Sequence, residues 1–246
     1  MIRYGDLTSE ETEKQLASRI LFLPIGTIEQ HGPHLPLSVD VDISTAVAER
    51  LAEILAGIAA PSINYASRSL PQSGGGHVFP GTIHVRGSAL VDYFVDVLAC
   101  FLHWGAAKIV IINGHYENES FLFEALELLR ERNLLRGVNM LALSWWSAID
   151  AAFIQRHLGD QFFGWHAEHA GIVETSLMLH LRPETVRQIR VDNPRPPPAG
   201  VYRHPPSQEA TGYRGVLSST SAATAEFGRP LLEHICENIA AMLLKD

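Results

Sequence analysis

Five side chains of the kinds that bind metal ions lie within seventeen residues near the start of the chain, in the segment GTIEQHGPHLPLSVDVD (26–42). They are Glu29, His31, His34, Asp40 and Asp42. Because Glu29 and His31 are separated by one residue, their side chains point the same way in an extended segment. Two prolines restrict the backbone of the segment. A stiff segment that is rich in ligands favours a preformed metal site.

A second pair, His115 and Glu117 in NGHYEN, repeats this spacing farther along the chain. Glu29, Asp40 and Glu117 carry a charge of −3, and the histidines bind metals as neutral imidazoles. One divalent ion leaves this set negative, whereas two ions (+4 against −3) leave +1, which a bound hydroxide neutralises. Carboxylate and imidazole ligands without a nearby cysteine suit zinc or manganese. We therefore predict a two-metal hydrolytic centre.

Two aspartates are candidates for the residue that bridges the two ions. Asp40 is the first candidate, placed just before a helix that we predict to begin near Ile43, where the helix dipole favours a carboxylate. Asp42 competes with it, but Asp42 is also explained as the N-cap of that helix. His34 lies between prolines, and we interpret it as a structural residue.

A third group of polar side chains lies in FFGWHAEHAGIVETS (162–176). The histidines of HAEH are three residues apart, which differs from the His-Glu-x-x-His spacing of metalloproteases. Glu168 and His169 are instead candidates for acid–base catalysis beside the metals. We interpret Glu174 as a helix residue with a structural role.

Aromatic and glycine-rich segments supply candidate substrate contacts. Trp146 in SWWSA and Trp165 flank the expected site, which indicates a flat substrate held between rings. The segment SGGGHVFPGT (73–82), which begins at Ser73, offers a flexible backbone to close over a ligand. It lacks the Gly-Lys-Ser/Thr ending of a phosphate-binding loop, so nucleotide binding is not expected.

The elements that must position these residues alternate between short apolar runs and amphipathic helical patterns. We predict strands at 19–26, 60–66, 108–113 and 138–144, and helices at 43–57, 88–105, 119–133, 171–181 and 229–244. This alternation predicts a mostly parallel sheet covered by helices on both faces, in a single domain over residues 1–246. The first two motifs follow strands 19–26 and 108–113 and should meet at one edge of the sheet. The proline-rich stretch 191–215 is expected to be a long extended loop.

Composition narrows the classes of partner. The formal net charge is −8 and no cluster of lysine or arginine stands out, so neither nucleic acid nor an anionic membrane is an expected partner. A small neutral or cationic substrate suits this balance better. Cys100 and Cys236 are expected to be buried core thiols without a disulfide. No apolar leader or membrane-length run is apparent, which favours a cytoplasmic protein.

Taken together, the motifs resemble the creatininase (creatinine amidohydrolase) family over nearly the whole chain. The resemblance lies in PIGTIEQHGPHLPLSVDVDI, SGGGHVFPGT, NGHYENES, FGWHAEHAGIVETSLML and GVLSSTSAAT. The first and third blocks mark the superfamily, and Trp146 with the GW…EH block is closer to its creatininase branch. This chain departs from the family at His166, where the family tends to carry an aspartate.

The resemblance implies a three-layer αβα sandwich, a homo-hexamer and a binuclear site with zinc and manganese. It implies that Glu29 and His115 bind one ion, that His31 and Glu117 bind the other, and that Asp40 bridges them. Glu117 is therefore expected to serve both metal binding and catalysis.

The same resemblance assigns the substrate site and the reaction. Trp146, Trp165 and Tyr116 are expected to border the pocket, with Ser73 beside them. The implied reaction opens creatinine, a flat cyclic amide, to creatine with a water activated between the ions. His169, held by Glu168, is expected to pass a proton to the departing ring nitrogen.

Two other kinds of function remain alternatives. The superfamily also includes other C–N hydrolases, namely formamidopyrimidine deformylases and a peptidase of cofactor maturation. A metal-binding or regulatory protein without catalysis is the other alternative. In such a protein, substitution of Glu168 or His169 should change stability only.

Overall fold

A computed structural model describes residues 1–195, 197–202, 204–205 and 214–245. Its single sheet contains five parallel strands in the order β1-β3-β2-β4-β5. The strands are β1 (Ile2–Arg3), β2 (Ile20–Ile25), β3 (Ile58–Ala59), β4 (Lys108–Asn113) and β5 (Asn139–Ser144). The helices are α1 (Ser9–Ser18), α2 (Val39–Ile54), α3 (Pro71–Gly74), α4 (Gly87–His103), α5 (Asn118–Glu131), α6 (Ala151–His157), α7 (Ile172–Leu181) and α8 (Ala225–Leu243).

The core lies on both faces of the two central strands, β2 and β4. Phe22, Val110 and Ile112 pack on one face, against α2, α7 and α8. Leu21 and Ile109 point to the other face, where they pack against α4 and α5. Central strands of a parallel sheet are covered twice, and this explains why ILFLPI and KIVIIN are apolar without alternation. The predicted αβα sandwich is confirmed.

The predicted element boundaries differ from the structure in two places near the site. Helix α2 begins at Val39 rather than near Ile43, so Asp40 lies in its first turn. Asp42 is not the N-cap. It lies inside the helix, where it accepts a hydrogen bond from Ser38 Oγ (2.7 Å) and pairs with Arg182 (3.3 Å). The predicted strand 60–66 is shorter and earlier, at β3. The segment after β3 contacts β2 only at isolated points, which include the hydrogen bond from the Ala60 amide to the Phe22 carbonyl (2.9 Å) and the bridge of Ile63 with Ile25.

The prediction for Cys100 was wrong. Its side chain is exposed on α4, because that face of the amphipathic helix points away from the sheet, whereas Cys236 is buried as expected. Strand β1 and helices α1 and α6 were not predicted. The described residues of 191–215 form no helix or strand, and the rest of that predicted loop lies outside the described residues. Among the described helices, none combines the length and apolarity needed to cross a membrane.

Candidate metal centre and active site

The two ligand-rich motifs leave neighbouring strands at the same edge of the sheet. Ile25 at the end of β2 and Asn113 at the end of β4 are register partners in a parallel ladder. The amide of Gly114 continues that ladder by donating to the carbonyl of Ile25 (2.7 Å). The segments that follow these residues therefore start side by side, and their side chains share one site.

Two glycines let the first turn of α2 enter this edge. A Cβ on Gly114 would lie 2.4 Å from the carbonyl oxygen of Asp40, and a Cβ on Gly26 would lie 2.5 Å from the amide of Val41. Neither contact is possible for a residue with a side chain. The close approach brings the buried carboxylate of Asp40 between the two motifs.

Asp40 lies between the histidines of the two motifs. Its Oδ1 is 3.1 Å from His31 Nε2, and its Oδ2 is 3.1 Å from His115 Nδ1. Glu29 Oε1 also approaches His115 Nδ1, at 2.9 Å. All four side chains are at least 97% buried. Glu29, Asp40 and His115 form one group whose ligand atoms lie close enough to bind a common ion.

A further carboxylate, Glu174, joins the cluster from the first turn of α7. Its Oε2 lies 3.7 Å from His31 Nε2 and accepts a hydrogen bond from the amide of Ala170 (2.6 Å). His31, Asp40 and Glu174 make a second group of possible ligands. The sequence analysis placed Glu174 on a helix but gave it only a structural role. A charged residue in the otherwise apolar IVETSLML was the available signal.

Glu29, His31 and His169 form a third group of possible ligands, and Glu117 lies next to the cluster without belonging to any of the three. Its Oε2 is 3.2 Å from His115 Nε2. Its Oε1 accepts hydrogen bonds from the amide of Leu70 (3.0 Å) and from the hydroxyl of Ser73. Ser73 therefore contacts Glu117 directly. The assignments of Glu117 as a ligand and of Ser73 to substrate binding stay predictions.

The cluster has the electrostatics of a cation site. Burial lowers the pKa of His31, but the carboxylates of Asp40 and Glu174 outweigh burial and raise that pKa to about 10. Burial raises the pKa of Asp40, and its two histidine neighbours hold it below the usual range. The acids of this cluster therefore repel one another unless a positive charge, on a protonated histidine or a bound cation, lies between them.

Unpaired atoms support the fit to metal. Glu29 Oε2, His31 Nε2, Asp40 Oδ2 and His115 Nε2 are buried and make no hydrogen bond among the described residues. Three of these atoms, His31 Nε2, Asp40 Oδ2 and His115 Nε2, lie 3.1–3.2 Å from a histidine or carboxylate atom. None of these contacts has the geometry of a hydrogen bond. Buried polar atoms without hydrogen bonds are costly unless a ligand satisfies them. The donor set of carboxylates and imidazoles fits divalent ions of the zinc and manganese class.

The candidate acid–base residues lie beside the cluster, with partners that the sequence did not predict. His169 Nδ1 is 3.9 Å from Glu29 Oε1, and the His169 ring lies 4.3 Å from that of His31. Glu168 accepts hydrogen bonds from the amide of Val173 (2.6 Å) and from Ser218 Oγ (3.3 Å). The ring of His169 is hydrogen-bonded to Gln30, which sequence reasoning missed.

Burial dominates the ionisation of both acid–base candidates. It raises the pKa of Glu168 to about 7. Burial, together with the nearby His31, lowers the pKa of His169 to about 4. His169 is therefore a neutral imidazole near pH 7, the form that accepts a proton.

Aromatic side chains wall a pocket above the cluster. Trp146 and Trp165 line it, and Tyr116 stacks on Trp146 with ring centroids 6.5 Å apart and planes at 25°. His166 also lines the pocket. Part of its wall comes from the proline-rich segment, namely from Pro197, Pro198, Gly200, Val201 and Tyr202. That contribution was not predicted, because an irregular loop carries no periodic pattern that places it.

The model of the family described as "Creatininase: Creatinine amidohydrolase" matches residues 5–243. The chain belongs to the creatininase family. It is therefore a hydrolase that acts on C–N bonds, as the resemblance of its motifs predicts.

The similar proteins include a creatinine amidohydrolase and a peptidase. This chain is 38% identical to creatinine amidohydrolase of Pseudomonas putida, over 96% of its own length and 94% of the other protein. It is 30% identical to the mycofactocin precursor peptide peptidase of Mycobacterium ulcerans, over 95% and 89% of the two chains.

Solved creatininase structures share the fold over nearly the full length. A crystal structure of creatininase matches with a TM-score of 0.92 and 36% identity, covering 98% of this chain and 96% of the other. A creatininase variant complexed with creatine matches with a TM-score of 0.93 and 36% identity, over 99% and 98% of the two chains. Zinc and manganese forms of creatininase also match.

Proposed function

We propose that this protein hydrolyses creatinine to creatine with the help of two divalent metal ions, zinc or manganese. The observation that supports this proposal most is the pocket itself. Trp146 and Trp165 line the same cavity as the buried cluster of acids and histidines, so a flat cyclic amide fits between rings and ligands. The similarity to Pseudomonas putida creatinine amidohydrolase supports the same substrate.

We assign the ion pair to the side chains that the sequence predicts. Glu29 and His115 would hold one ion and His31 and Glu117 the other, with Asp40 shared between them, since its two oxygens face both histidines. Glu174 is an additional carboxylate beside His31. When bound, such ions lower the pKa of a water molecule and place positive charge near the substrate carbonyl.

His169 carries the proton in this proposal. Its imidazole is neutral near pH 7 and lies beside Glu29, so it accepts the proton released as water attacks the ring carbonyl. It then donates that proton to the ring nitrogen as the C–N bond breaks, which leaves the guanidino group and the carboxylate of creatine. Glu168, whose partners are Val173 and Ser218, fixes the backbone around His169.

The substrate-binding role falls to the aromatic wall. The indole of Trp146, with Tyr116 stacked on it, offers a flat surface, and Trp165 lines the pocket with it. Ser73 contacts Glu117 and lines the same cavity. His166 lines it as well, and we propose that it contributes to the choice of substrate.

Three further expectations complete the proposal, of which the hexamer comes from the family resemblance and the other two from the sequence pattern. We propose that residues 1–246 form a single domain, that the protein assembles as a homo-hexamer and that it works in the cytoplasm. Size-exclusion chromatography with light scattering tests the assembly directly.

The test of the reaction is creatine formation from creatinine by purified protein supplied with manganese and zinc, compared with a chelated sample. Asp40→Asn should abolish turnover and metal binding, whereas the matched control Asp42→Asn should keep both, because Asp42 contacts Ser38 and Arg182 instead. Absence of turnover in wild-type protein shown to hold metal would refute creatinine as the substrate.

A peptidase-like function is the second candidate, and one observation favours it. A cleft continues from the pocket past Tyr116 and Glu117 and is also lined by Arg68, Arg86 and Tyr202. Two arginines near an amide-hydrolysing site suit the carboxylate of a peptide. The similarity to mycofactocin precursor peptide peptidases agrees with this reading.

Peptides with free and amidated C-termini distinguish the two candidates. Hydrolysis of the free-carboxylate peptide alone, lost in Arg86→Ala, would favour the peptidase. Turnover of creatinine without peptide hydrolysis would favour the creatininase. A metal-bound protein that hydrolyses neither, and in which His169→Ala changes only thermal stability, would instead be a metal-binding protein without catalysis.

A further inference from the structure

Gln30 lies in sequence between the metal-ligand candidates Glu29 and His31, and it is 95% buried. Its Nε2 lies 2.6 Å from the carbonyl oxygen of Gly74, 3.0 Å from that of Gly215 and 2.9 Å from His169 Nε2. Its Oε1 accepts a hydrogen bond from the amide of Gly32 (2.8 Å). One amide therefore joins three loops around the site.

These contacts fix the orientation of the Gln30 amide. If its oxygen and nitrogen were exchanged, an oxygen would face the carbonyls of Gly74 and Gly215, and an NH₂ group would face the amide of Gly32. Both sets of contacts would be repulsive. The nitrogen must therefore point to the two carbonyls.

The donors and acceptors around Gln30 also determine which nitrogen of His169 carries the proton. The two N–H groups of Gln30 are both used by the carbonyls of Gly74 and Gly215. His169 Nε2 lies 2.9 Å from the backbone carbonyl of Gln30, which only accepts. A proton on Nε2 satisfies all three carbonyls. Without that proton, the backbone carbonyl of Gln30 has no donor, and the lone pair of His169 Nε2 faces the carbonyl oxygen.

With its proton on Nε2, His169 presents an unprotonated Nδ1 to the site. Nδ1 is the nitrogen that lies 3.9 Å from Glu29 Oε1. We infer that Gln30 is a positioning residue. Its side chain, anchored to Gly74 and Gly215, fixes the backbone carbonyl that accepts from His169 Nε2, so that the lone pair of Nδ1 faces the cluster of acids and histidines.

Two glycines show how closely Gln30 and His169 are enclosed. A Cβ on Gly215 would lie 1.9 Å from Gln30 Oε1, and a Cβ on Gly74 would lie 3.1 Å from His169 Cε1. The surrounding backbone leaves no room for the amide or the ring to move aside. Ring orientation is therefore set before the substrate arrives.

This inference rests on the proposed proton transfer by His169, and the direct test is spectroscopic. Zinc-loaded protein with ¹⁵N-labelled histidine is measured by NMR, and the His169 signals are assigned by their absence in His169→Ala. We expect the neutral ring to be protonated on Nε2. A proton on Nδ1 would overturn the inference, whether or not creatinine is hydrolysed.

Kinetics of Gln30→Met test the positioning role. Methionine keeps the size of the side chain and the backbone carbonyl that bonds to His169, but it removes the side-chain hydrogen bonds that anchor that carbonyl. We expect kcat to fall about tenfold while KM and zinc content stay near wild-type values. Gln15→Met on the surface of α1 is the matched control and should leave kcat unchanged. An unchanged kcat in folded, zinc-loaded Gln30→Met would overturn the positioning role.

Gly215→Ala provides a second variant that displaces Gln30 without altering its chemistry. It should lower kcat in the same way. Gly137→Ala is its control, because Gly137 also has a positive φ (75°, against 81° at Gly215) but has nothing within 4 Å of an added Cβ. Equal losses in the two variants would mean that backbone strain alone causes the effect, which would contradict the inference. If wild-type protein does not open creatinine, the proposed function fails while the NMR result still decides the tautomer.

Discussion

Gly114 and Asp40 touch through their backbones, with the Cα of the glycine turned towards the carbonyl oxygen of the aspartate. A Cβ at position 114 would lie 2.4 Å from that oxygen and 3.1 Å from the Cβ of Ser44. The end of β4 and the first turn of α2 therefore fit together only because residue 114 has no side chain. This contact sets the depth at which the Asp40 carboxylate enters the site.

Gly114→Ala should therefore displace Asp40 and weaken metal binding. We expect less than one bound ion per chain and at least a tenfold fall in kcat, measured by elemental analysis and by creatine formation. Gly5→Ala, where an added Cβ has open space, is the control and should match wild type. Full metal content in folded Gly114→Ala would show that this backbone contact does not position Asp40.

Replacement of His169 by glutamine should separate catalysis from metal binding. General acid–base catalysis contributes roughly 10²–10⁴-fold, so kcat should fall by about that range while both ions remain bound. Kinetics and elemental analysis on the same preparation check this. Loss of metal in His169→Gln would instead identify His169 as a ligand, a role that its grouping with Glu29 and His31 also permits.

Truncation of Trp146 should weaken substrate binding more than it slows the reaction. Aromatic contacts of this kind contribute about 0.5–1.5 kcal/mol, so Trp146→Ala should raise KM roughly 2- to 12-fold. Trp104→Ala is a suitable control, because Trp104 is exposed at the end of α4, near the opposite edge of the sheet. A KM unchanged by Trp146→Ala would remove this residue from the pocket contacts.

Asp192 should contribute acid-sensitive stability away from the metal cluster. Burial raises its pKa, but hydrogen bonds from Ser219 Oγ (2.6 Å) and the amides of Thr220 (2.8 Å) and Ser221 (3.0 Å) outweigh this and hold the pKa below its usual value. A depressed pKa gives stability that is present above about pH 4 and is lost as the pH falls through the folded-state pKa.

Asp192→Asn should therefore lower the free energy of unfolding at pH 7 by about 1 kcal/mol, a small value because the carboxylate is largely exposed. Urea unfolding of both proteins at pH 7 and at pH 3 measures the difference, which should shrink at the lower pH. A difference independent of pH would mean that the charge on Asp192 is unimportant.

Much of the fold was predictable because the central strands are buried on both faces. KIVIIN and ILFLPI have no other common interpretation, and helices α4 and α5 show clear amphipathic patterns. The start of α2 was not predictable in this way. Its first turn contains two aspartates whose roles depend on contacts with Gly114 and Ser38, which lie outside any local pattern.

The candidate site was predictable where residue type and strand ends coincide, as for Glu29, His31 and His115. Gln30 and Glu174 lacked such a signal. The Gln30 amide has no charge or metal preference to mark it. Its role depends on the carbonyls of Gly74 and Gly215, which distant loops supply, and on the nearby amide of Gly32. Glu174 follows the ordinary pattern of a helix start, and only the fold brings it to His31.

The side chains proposed as ligands belong to two separate stretches: one runs from the loop after β2 into the first turn of α2, and the other is the loop after β4. Both cysteines are free, so no covalent link joins these stretches. Bound ions would act as a cross-link between these stretches. Chelation should therefore do more than stop turnover. Amide hydrogens next to Gly26 and Gly114 should exchange faster with solvent, whereas those of Ile109 and Val110, deep in the sheet, should stay protected.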